Sequence, residues 1–173
     1  MLLSTLMLAM AETPEFHVEA GGQWTPESLV LDLGARAEGK HDGYVLVAAR
    51  VAPTGNWLGR AGIGVDLFGG REGLDLKLGL FLGATGNALE PSIFGRPTAG
   101  AELQFGGKIG RVYGWFRHLD GFSGVLENHL TENELRIGFE LTDHVRIHGQ
   151  AVHFNPREKE HDLGFGAGAE FVF

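Results

Sequence analysis

The sequence predicts an all-β fold, an antiparallel up-and-down barrel of about ten strands, with eight strands as the alternative. Apolar and polar residues alternate with a period of two in successive short segments, which is typical of strands with different surroundings on their two faces. Turn-forming residues separate these segments. No stretch reaches the ~18 apolar residues of a membrane-spanning helix. With 173 residues, the chain has the length of a single domain.

The alternation is clearest in residues 161–173. From Leu163 onward, every second residue is apolar, and the series ends in Phe171 and Phe173. The residues between them are mostly glycine, with Glu170 near the end. This pattern predicts a strand with one apolar face and one small or acidic face.

A final strand that ends in Phe, with apolar residues at every second position before it, resembles the C-terminal strand of bacterial outer-membrane β-barrels. The general organisation is similar to that of the small OmpA-like and OmpX-like barrels. The resemblance implies a transmembrane barrel in the outer membrane of a Gram-negative envelope, in contact with outer-membrane lipid and lipopolysaccharide. It also implies that the barrel-assembly machinery recognises the last strand.

Five strands are expected in the first half of the chain, at residues 16–24, 29–36, 44–51, 60–67 and 74–82. Segments rich in Pro, Gly, Asn and Ser separate them, at 25–28, 38–43, 53–56 and 69–73. The fifth strand has the most regular alternation, with Leu at five alternate positions from Leu74 to Leu82. Such a face needs cover or a non-aqueous surrounding.

Five further strands are expected at residues 99–105, 109–118, 134–141, 145–152 and 161–173. We predict tight turns at 106–108 and 142–144 and a charged loop at 155–160. Two longer irregular segments are predicted at 83–97 and 119–131. Both follow strands that run away from the periplasm, so they are expected on the outer side, as in single-chain bacterial barrels.

The first residues predict a secretory signal peptide at residues 1–11, followed by one barrel domain at 12–173. The apolar run from Leu2 to Met10 is too short to span a bilayer as a helix. It ends in Ala9-Met10-Ala11, which fits an A-x-A cleavage site. The basic residues that normally precede such a run are missing, so either the start lies upstream of Met1 or the leader is trimmed.

A soluble barrel of the lipocalin or streptavidin type is the structural alternative, because alternation alone does not say which face points inward. Mixed charges and glycines on the polar faces, together with the terminal Phe, favour a membrane barrel with a polar interior. Charges in so narrow a lumen are expected to form ion pairs. The predicted inward-facing residues are Glu19, Asp32, Arg36, Arg60, Asp66, Asp75, Lys77, Glu102, Gln104, Arg111, Arg117, Glu134, Arg136, Glu140, Arg146, His148 and Glu170.

Aromatic residues are expected to form girdles at the two membrane–water interfaces. The predicted strand directions place Trp24 and Trp57 at the outer rim, and Tyr44, Phe171 and Phe173 at the inner rim.

A catalytic role is the weakest hypothesis, and we predict that the protein is not an enzyme. Outer-membrane lipid deacylases and acyltransferases use His and Ser with an acid, and the candidates here are His118, Ser123, Glu127 and His129. The compact His-x-Ser-Asn motif of the deacylases is absent, as is a G-x-S-x-G elbow. The spacing of His144, His148 and His153 matches no standard metal motif, so no metal or other cofactor is expected.

Composition narrows the function further. The net charge of −8 without any basic cluster argues against nucleic acid as a partner, and the absence of cysteine excludes disulfides and thiolate metal sites. We therefore expect a monomeric barrel with a structural or surface-interaction role, carried by segments 83–97 and 119–131. The alternative is a narrow porin-like channel for small solutes.

Overall fold

The computed structural model describes residues 14–26, 29–39, 43–53, 55–68, 73–89, 95–123, 128–157 and 160–173. The signal-peptide prediction lies outside these residues. Within them, no helix is long and apolar enough to cross a membrane. The regular elements are ten strands: β1 (Glu15–Trp24), β2 (Leu29–Glu38), β3 (Gly43–Val51), β4 (Asn56–Phe68), β5 (Gly73–Asn87), β6 (Arg96–Ile109), β7 (Val112–Ser123), β8 (Asn128–Thr142), β9 (Val145–Arg157) and β10 (Glu160–Val172).

The ten strands form one closed antiparallel barrel in which each strand pairs with its neighbours in sequence. The first and last strands close it, in the register His17 opposite Val172 and Trp24 opposite Phe165. The predicted fold class is confirmed, with ten strands rather than eight. Closure matters because it leaves no strand edge with unpaired backbone groups.

The barrel has a terminal end and an opposite end. At the terminal end, the backbone N–H of Phe16 donates to the carbonyl of Phe173 at 3.1 Å, so the start of β1 and the end of β10 lie together. The opposite end carries Trp24 and the connection to β2.

The outer wall is apolar over most of its surface, because the pleat sends alternate residues outward. Leu80 and Leu82 on β5 are exposed, whereas Lys77 and Phe81 on the same strand are buried inside. This distribution is the reverse of that in a water-soluble barrel with a polar outer wall. The exposed apolar side chains include Leu33, Val47, Leu78, Leu80, Leu82, Phe105, Ile137 and Phe165.

The turn predicted at 106–108 is wrong. β6 continues to Ile109, and Gly107 still pairs with Leu74 of β5. The chain reverses one step later, at Gly110 and Arg111, where Gly110 has a φ of 61°. Glycine adopts this left-handed conformation without the steric cost of a Cβ atom, which fixes the turn there.

The two long irregular segments are also shorter than expected. β5 runs to Asn87 and β6 begins at Arg96, while β7 runs to Ser123 and β8 begins at Asn128. The sequence pattern was misleading because Leu119 and Leu130 face the interior and are buried, while His118 and Asn133 face outward. The usual order of apolar and polar faces is therefore inverted along this part of the β7–β8 hairpin.

The closure of the barrel predicts a specific cross-link. Ala20 of β1 and Ala169 of β10 are direct partners, and directly opposed Cβ atoms lie about 4.5–5.5 Å apart. The chain contains no cysteine. The variant with Ala20→Cys and Ala169→Cys should therefore be joined by a short thiol-specific cross-linker, as measured by gel mobility of the unheated and heated protein.

The matched control is Ala20→Cys with Ala101→Cys, since Ala101 lies on β6 across the barrel. This pair should not be joined within one chain. Efficient reaction of the control pair, or none of the Ala20–Ala169 pair in the folded protein, would contradict the closure between β1 and β10.

Candidate functional site: the ionic interior

The inward positions of the strands bring most of the predicted polar residues into one interior. The pairing of Lys77 with Asp66 and Gln104, and of Arg117 with Gln104 and Glu134, places these residues on one face of neighbouring strands. Sixteen of the predicted inward residues occupy such positions, and Arg111 does not: Glu19, Asp32, Arg36, Arg60, Asp66, Asp75, Lys77, Glu102, Gln104, Arg117, Glu134, Arg136, Glu140, Arg146, His148 and Glu170.

Arg117 of β7 is at the middle of this interior. Its guanidinium donates to Glu132 at 2.8 Å and to Glu134, both from the neighbouring strand β8. Arg50 of β3 approaches from across the barrel and donates to Glu132 and, at 2.5 Å, to Asp32. The two arginines therefore share Glu132, which links opposite walls through one carboxylate.

Arg136 extends the same network toward β1. Its guanidinium donates to Glu134 at 2.8 Å and to Glu19 at 2.6 Å. Its Cζ atom also lies 4.4 Å from the centre of the Trp115 ring, within the range of a cation–π interaction. We call the residues of this network the central cluster: Glu19, Asp32, Arg50, Arg60, Glu102, Arg117, Glu132, Glu134 and Arg136.

Tyr44 belongs to the interior, so its prediction as an inner-rim girdle residue is wrong. Its hydroxyl donates to Glu102 at 2.9 Å, and Glu102 also accepts from Arg60 at 3.0 Å. The ring fits because it lies over two glycines. A Cβ atom on Gly64 would lie 2.3 Å from the ring, and one on Gly79 would lie 2.4 Å from the hydroxyl.

A second group of ion pairs lies nearer the terminal end. The ammonium of Lys77 is 2.7 Å from Glu38, 3.4 Å from Asp75 and 3.5 Å from Asp66. The carboxylates around this cation are 24–26% exposed, whereas Glu132 and Glu134 of the central cluster are 2% exposed. The terminal end of the lumen is therefore polar and partly exposed.

The wall on the other side of this entrance carries a similar arrangement. His17 contacts Glu170 at 2.7 Å, and Arg146 contacts Glu140 at 2.9 Å. Lys108 also reaches Glu140, at 2.6 Å. Cations and anions alternate around the entrance, so its walls are not segregated into a positive and a negative side.

Toward the opposite end, the interior contains a group of buried apolar side chains. Phe81, Leu119 and Leu130 form a buried cluster with exposed fractions of 2%, 0% and 1%. Val30, Leu58 and Val152 are also buried at inward positions. We call the six residues the apolar plug: Val30, Leu58, Phe81, Leu119, Leu130 and Val152.

A small cavity lies against the central cluster. Its volume is ≈ 30 Å³, and Arg50, Arg60 and Glu132 are among its lining residues. A water molecule needs about 10–15 Å³ measured in this way, so the cavity has room for two or three at most. Around this cavity, the described interior is packed by side chains.

Arg111 differs from its prediction as a lumen residue. It lies with Gly110 in the turn between β6 and β7, and it is exposed. The prediction failed because the turn was placed at 106–108, which extended the next strand back through Arg111.

Several interior residues were missed, among them Arg50, Glu38 and Glu132. Arg50 lies on β3, where both faces read as apolar in sequence, so the faces could not be assigned. Glu38 and Glu132 border segments that were predicted as loops. The alternation Glu132-Asn133-Glu134 was the available signal for extending β8, since both acids face inward.

The other predicted girdle residues lie at the rims of the barrel. Trp24 ends β1, and Trp57 is the second residue of β4, so both lie at the opposite end. Phe171 and Phe173 are exposed at the terminal end.

The candidate catalytic residues do not form a nucleophile–base–acid arrangement in the described residues. His118 and His129 point outward from β7 and β8, where they contact Asn133 and Asp120. The side chain of Ser123 and the whole of Glu127 lie outside the described part. Among the described side chains, no group of three His, Cys, Asp or Glu residues is arranged to hold a metal ion.

Comparison with known proteins identifies the fold. No protein-family model and no curated protein matches the chain. Among solved structures, the KdgM porin has a TM-score of 0.58 at 5% identity, covering 91% of this chain and 99% of the porin. The NanC porin has a TM-score of 0.55 at 8% identity, covering 90% and 98%. A structure described as de novo design of transmembrane β-barrels has a TM-score of 0.50 at 6% identity, covering 92% and 95%.

The chain therefore has the fold of outer-membrane β-barrels, as its last strand predicted, without a narrower family. At these identities the likeness is one of architecture. The arrangement of charges and the apolar plug are properties of this sequence.

The central cluster predicts an unequal response to the loss of two arginines. Arg117→Ala leaves Glu132 and Glu134 with fewer partners in a nearly dry interior, which should lower the free energy of unfolding by about 3 kcal/mol. Arg111→Ala removes an exposed turn residue and should change the free energy of unfolding by less than about 0.5 kcal/mol. Urea-dependent folding into lipid vesicles measures both.

Adding Glu134→Gln to Arg117→Ala should recover part of the loss, because it removes one of the two carboxylates that lose Arg117, while Arg136 keeps Glu19 as its partner. Equal effects of Arg117→Ala and Arg111→Ala would contradict the network.

Proposed function

We propose that this protein is a non-conducting barrel of the bacterial outer membrane with a structural or surface-interaction role. The observation that carries the proposal is the packing of the described interior, where the ion pairs around Arg117 border a cavity of ≈ 30 Å³ and an apolar plug lies nearer the opposite end. A barrel filled in this way acts through its outer wall and its ends.

The outer wall supports the membrane location. Exposed Leu, Val, Ile and Phe side chains cover most strands, and aromatic residues lie near both rims. Transfer of this much apolar surface from water into hydrocarbon is strongly favourable, since each Å² contributes about 25 cal/mol. The barrel also leaves no open strand edge toward lipid.

A narrow channel is the second candidate. Two structures with this fold, KdgM and NanC, are named porins, and the polar interior is compatible with conduction. The pairing of charges argues against it, because an ion would have to displace Arg50 or Arg117 from buried carboxylates. The apolar plug adds a second barrier, since narrow apolar constrictions tend to dewet.

An enzymatic role finds no support in the positions of the candidate residues. His118 and His129 each use one ring nitrogen in a contact with a neighbouring outward residue, and neither contacts a described hydroxyl. The proposal therefore remains a non-enzymatic barrel.

The surface role was predicted for segments 83–97 and 119–131. Strands β5 to β8 extend into both segments, so the ends of these strands belong to the surface that we propose for this role. The rims and the outer wall are further candidates.

Assembly is a separate part of the proposal. β10 presents Phe165, Phe171 and Phe173 outward, and all three are exposed. We propose that the barrel-assembly machinery recognises this face of β10, and that the assembled protein is a monomer in contact with outer-membrane lipid and lipopolysaccharide.

Recordings in a planar bilayer test the closed interior. The refolded protein should insert without discrete conductance steps, because the paired charges and the apolar plug block the lumen. Insertion is checked independently by heat-dependent mobility on a denaturing gel. Stable steps whose size changes with Arg60→Ala or Glu140→Ala would overturn the non-conducting interior and make transport the function.

Substitution in β10 tests the assembly proposal. Phe173→Ala should lower the amount of assembled barrel in outer membranes, because an aromatic residue of the recognised face is lost. The control is Phe105→Ala, which removes an exposed Phe from the outer wall of β6. Equal assembly of both variants in cells would contradict the role of β10, and folding into vesicles without the machinery should be the same for both.

A further inference from the structure

The apolar outer wall is interrupted at one place. Outward positions of β7, β8 and β9 carry six polar residues close to one another, which we call the polar patch: His118, Asp120, His129, Thr131, Asn133 and His153. On the other seven strands, the outward positions whose side chains the structure describes hold apolar residues or glycine. Three of the chain's eight histidines are in this patch.

The patch interrupts rows of the outer wall that are otherwise apolar. Cross-strand pairing relates His118 to Leu103 of β6 on one side and to Asn133 on the other. The same row continues through His153 of β9 to Leu163 of β10. Leu103 and Leu163 are exposed and apolar, so this row changes from apolar to polar and back again at one register.

A second row shows the same change. Asp120 pairs with Thr131 on one side and with Ala101 of β6 on the other, and Ala101 pairs with Leu80 of β5. A carboxylate on a lipid-facing wall is unfavourable at depth and tolerated near the interface. Its position beside an apolar stretch of the same row indicates a local function rather than a general change in surroundings.

The side chains of the patch hold one another in place. Nδ1 of His118 lies 2.8 Å from Oδ1 of Asn133, and Nε2 of His129 lies 2.5 Å from Oδ1 of Asp120. The His129 ring also packs at 5.7 Å from the ring of Phe122. In the described contacts, Nε2 of His118 and Nδ1 of His129 remain available for a second partner.

We propose that the polar patch binds the headgroup of a phosphoethanolamine-bearing lipid, a proposal that rests on the membrane location proposed above. The patch offers the Asp120 carboxylate beside amide and hydroxyl groups, so its ligand should combine an N–H donor with anionic oxygens. A phosphoethanolamine group has both. Its ammonium can donate to Asp120 and to the acceptor nitrogens of the imidazoles, and its phosphate oxygens can accept from the Asn133 amide N–H and the Thr131 hydroxyl.

Exposure supports a ligand at this site. The side chains of Asp120 and His129 are 52% and 42% exposed although they are hydrogen-bonded to each other. On β7, Phe116 and Phe122 lie outward on either side of the patch along the strand, and Leu135 lies outward on β8. A lipid whose headgroup meets the patch can therefore lay its acyl chains along the adjoining apolar wall.

Native mass spectrometry of the refolded full chain tests this proposal. The protein in detergent is titrated with phosphatidylethanolamine, phosphatidylcholine or diacylglycerol, and the lipid retained after mild activation is counted. The wild type should retain phosphatidylethanolamine, and its affinity should fall about tenfold in Asp120→Asn or in His118→Leu with Asn133→Leu, as expected for loss of one charge-assisted hydrogen bond.

The matched control is Ala35→Leu with Val47→Leu, a directly opposed outward pair on β2 and β3. It should bind as the wild type does. Each variant is first checked for heat-dependent mobility, so that failed insertion, which would contradict the membrane location, is distinguished from failed lipid binding.

Three results would overturn the proposal. The first is equal retention of phosphatidylethanolamine and diacylglycerol by the wild type. The second is equal retention of phosphatidylethanolamine by the wild type and the patch variants. The third is a wild-type dimer that the patch variants dissociate, which would make the patch an interface between two copies of this chain.

Discussion

The pairing of buried charges is the constraint on which the interior depends. A closed barrel of ten strands has room inside for little more than its own side chains, and a charge placed there has almost no water to solvate it. Arg117 and Arg50 meet this constraint by sharing Glu132 across the lumen, and Arg136 meets it through Glu19 and Glu134. The Arg50–Glu132 and Arg136–Glu19 contacts join strands that are not neighbours in the sheet, so they brace the barrel from within.

The interior changes character along the barrel axis. Ion pairs near Lys77 and Glu170 at the terminal end have partial access to water, the central cluster is buried, and Phe81, Leu119 and Leu130 close the opposite end without charges. The ion pairs of the central cluster and the apolar plug obstruct the lumen at two successive levels, which is why we favour a closed lumen. Breaking an ion pair would not remove the plug, and trimming the plug would not separate the charges.

The β7–β8 hairpin combines the two exceptions to the pattern of the wall. Its inward side contributes Leu119 and Leu130 to the apolar plug, and its outward side carries His118 and Asn133 in the polar patch. Inward apolar residues also occur on β2, β4, β5 and β9, whereas outward polar side chains occur, among those the structure describes, only on β7, β8 and β9. The outward polar residues are the reason for assigning this part of the wall a role of its own.

The sequence by itself determined the fold class and most inward-facing residues, because the period-two pleat converts alternation directly into two faces. It left the strand number at about ten, with eight as the alternative, and the closed pairing of β1 with β10 decided for ten. Tertiary structure decided the rest. The space over Gly64 on β4 and Gly79 on β5 admits the Tyr44 ring to the interior. The register of β6 places Arg111 in a turn, and the partners of Arg50 show which face of β3 points inward. Each depends on contacts between distant segments, and a local pattern contains no information about which strand lies opposite.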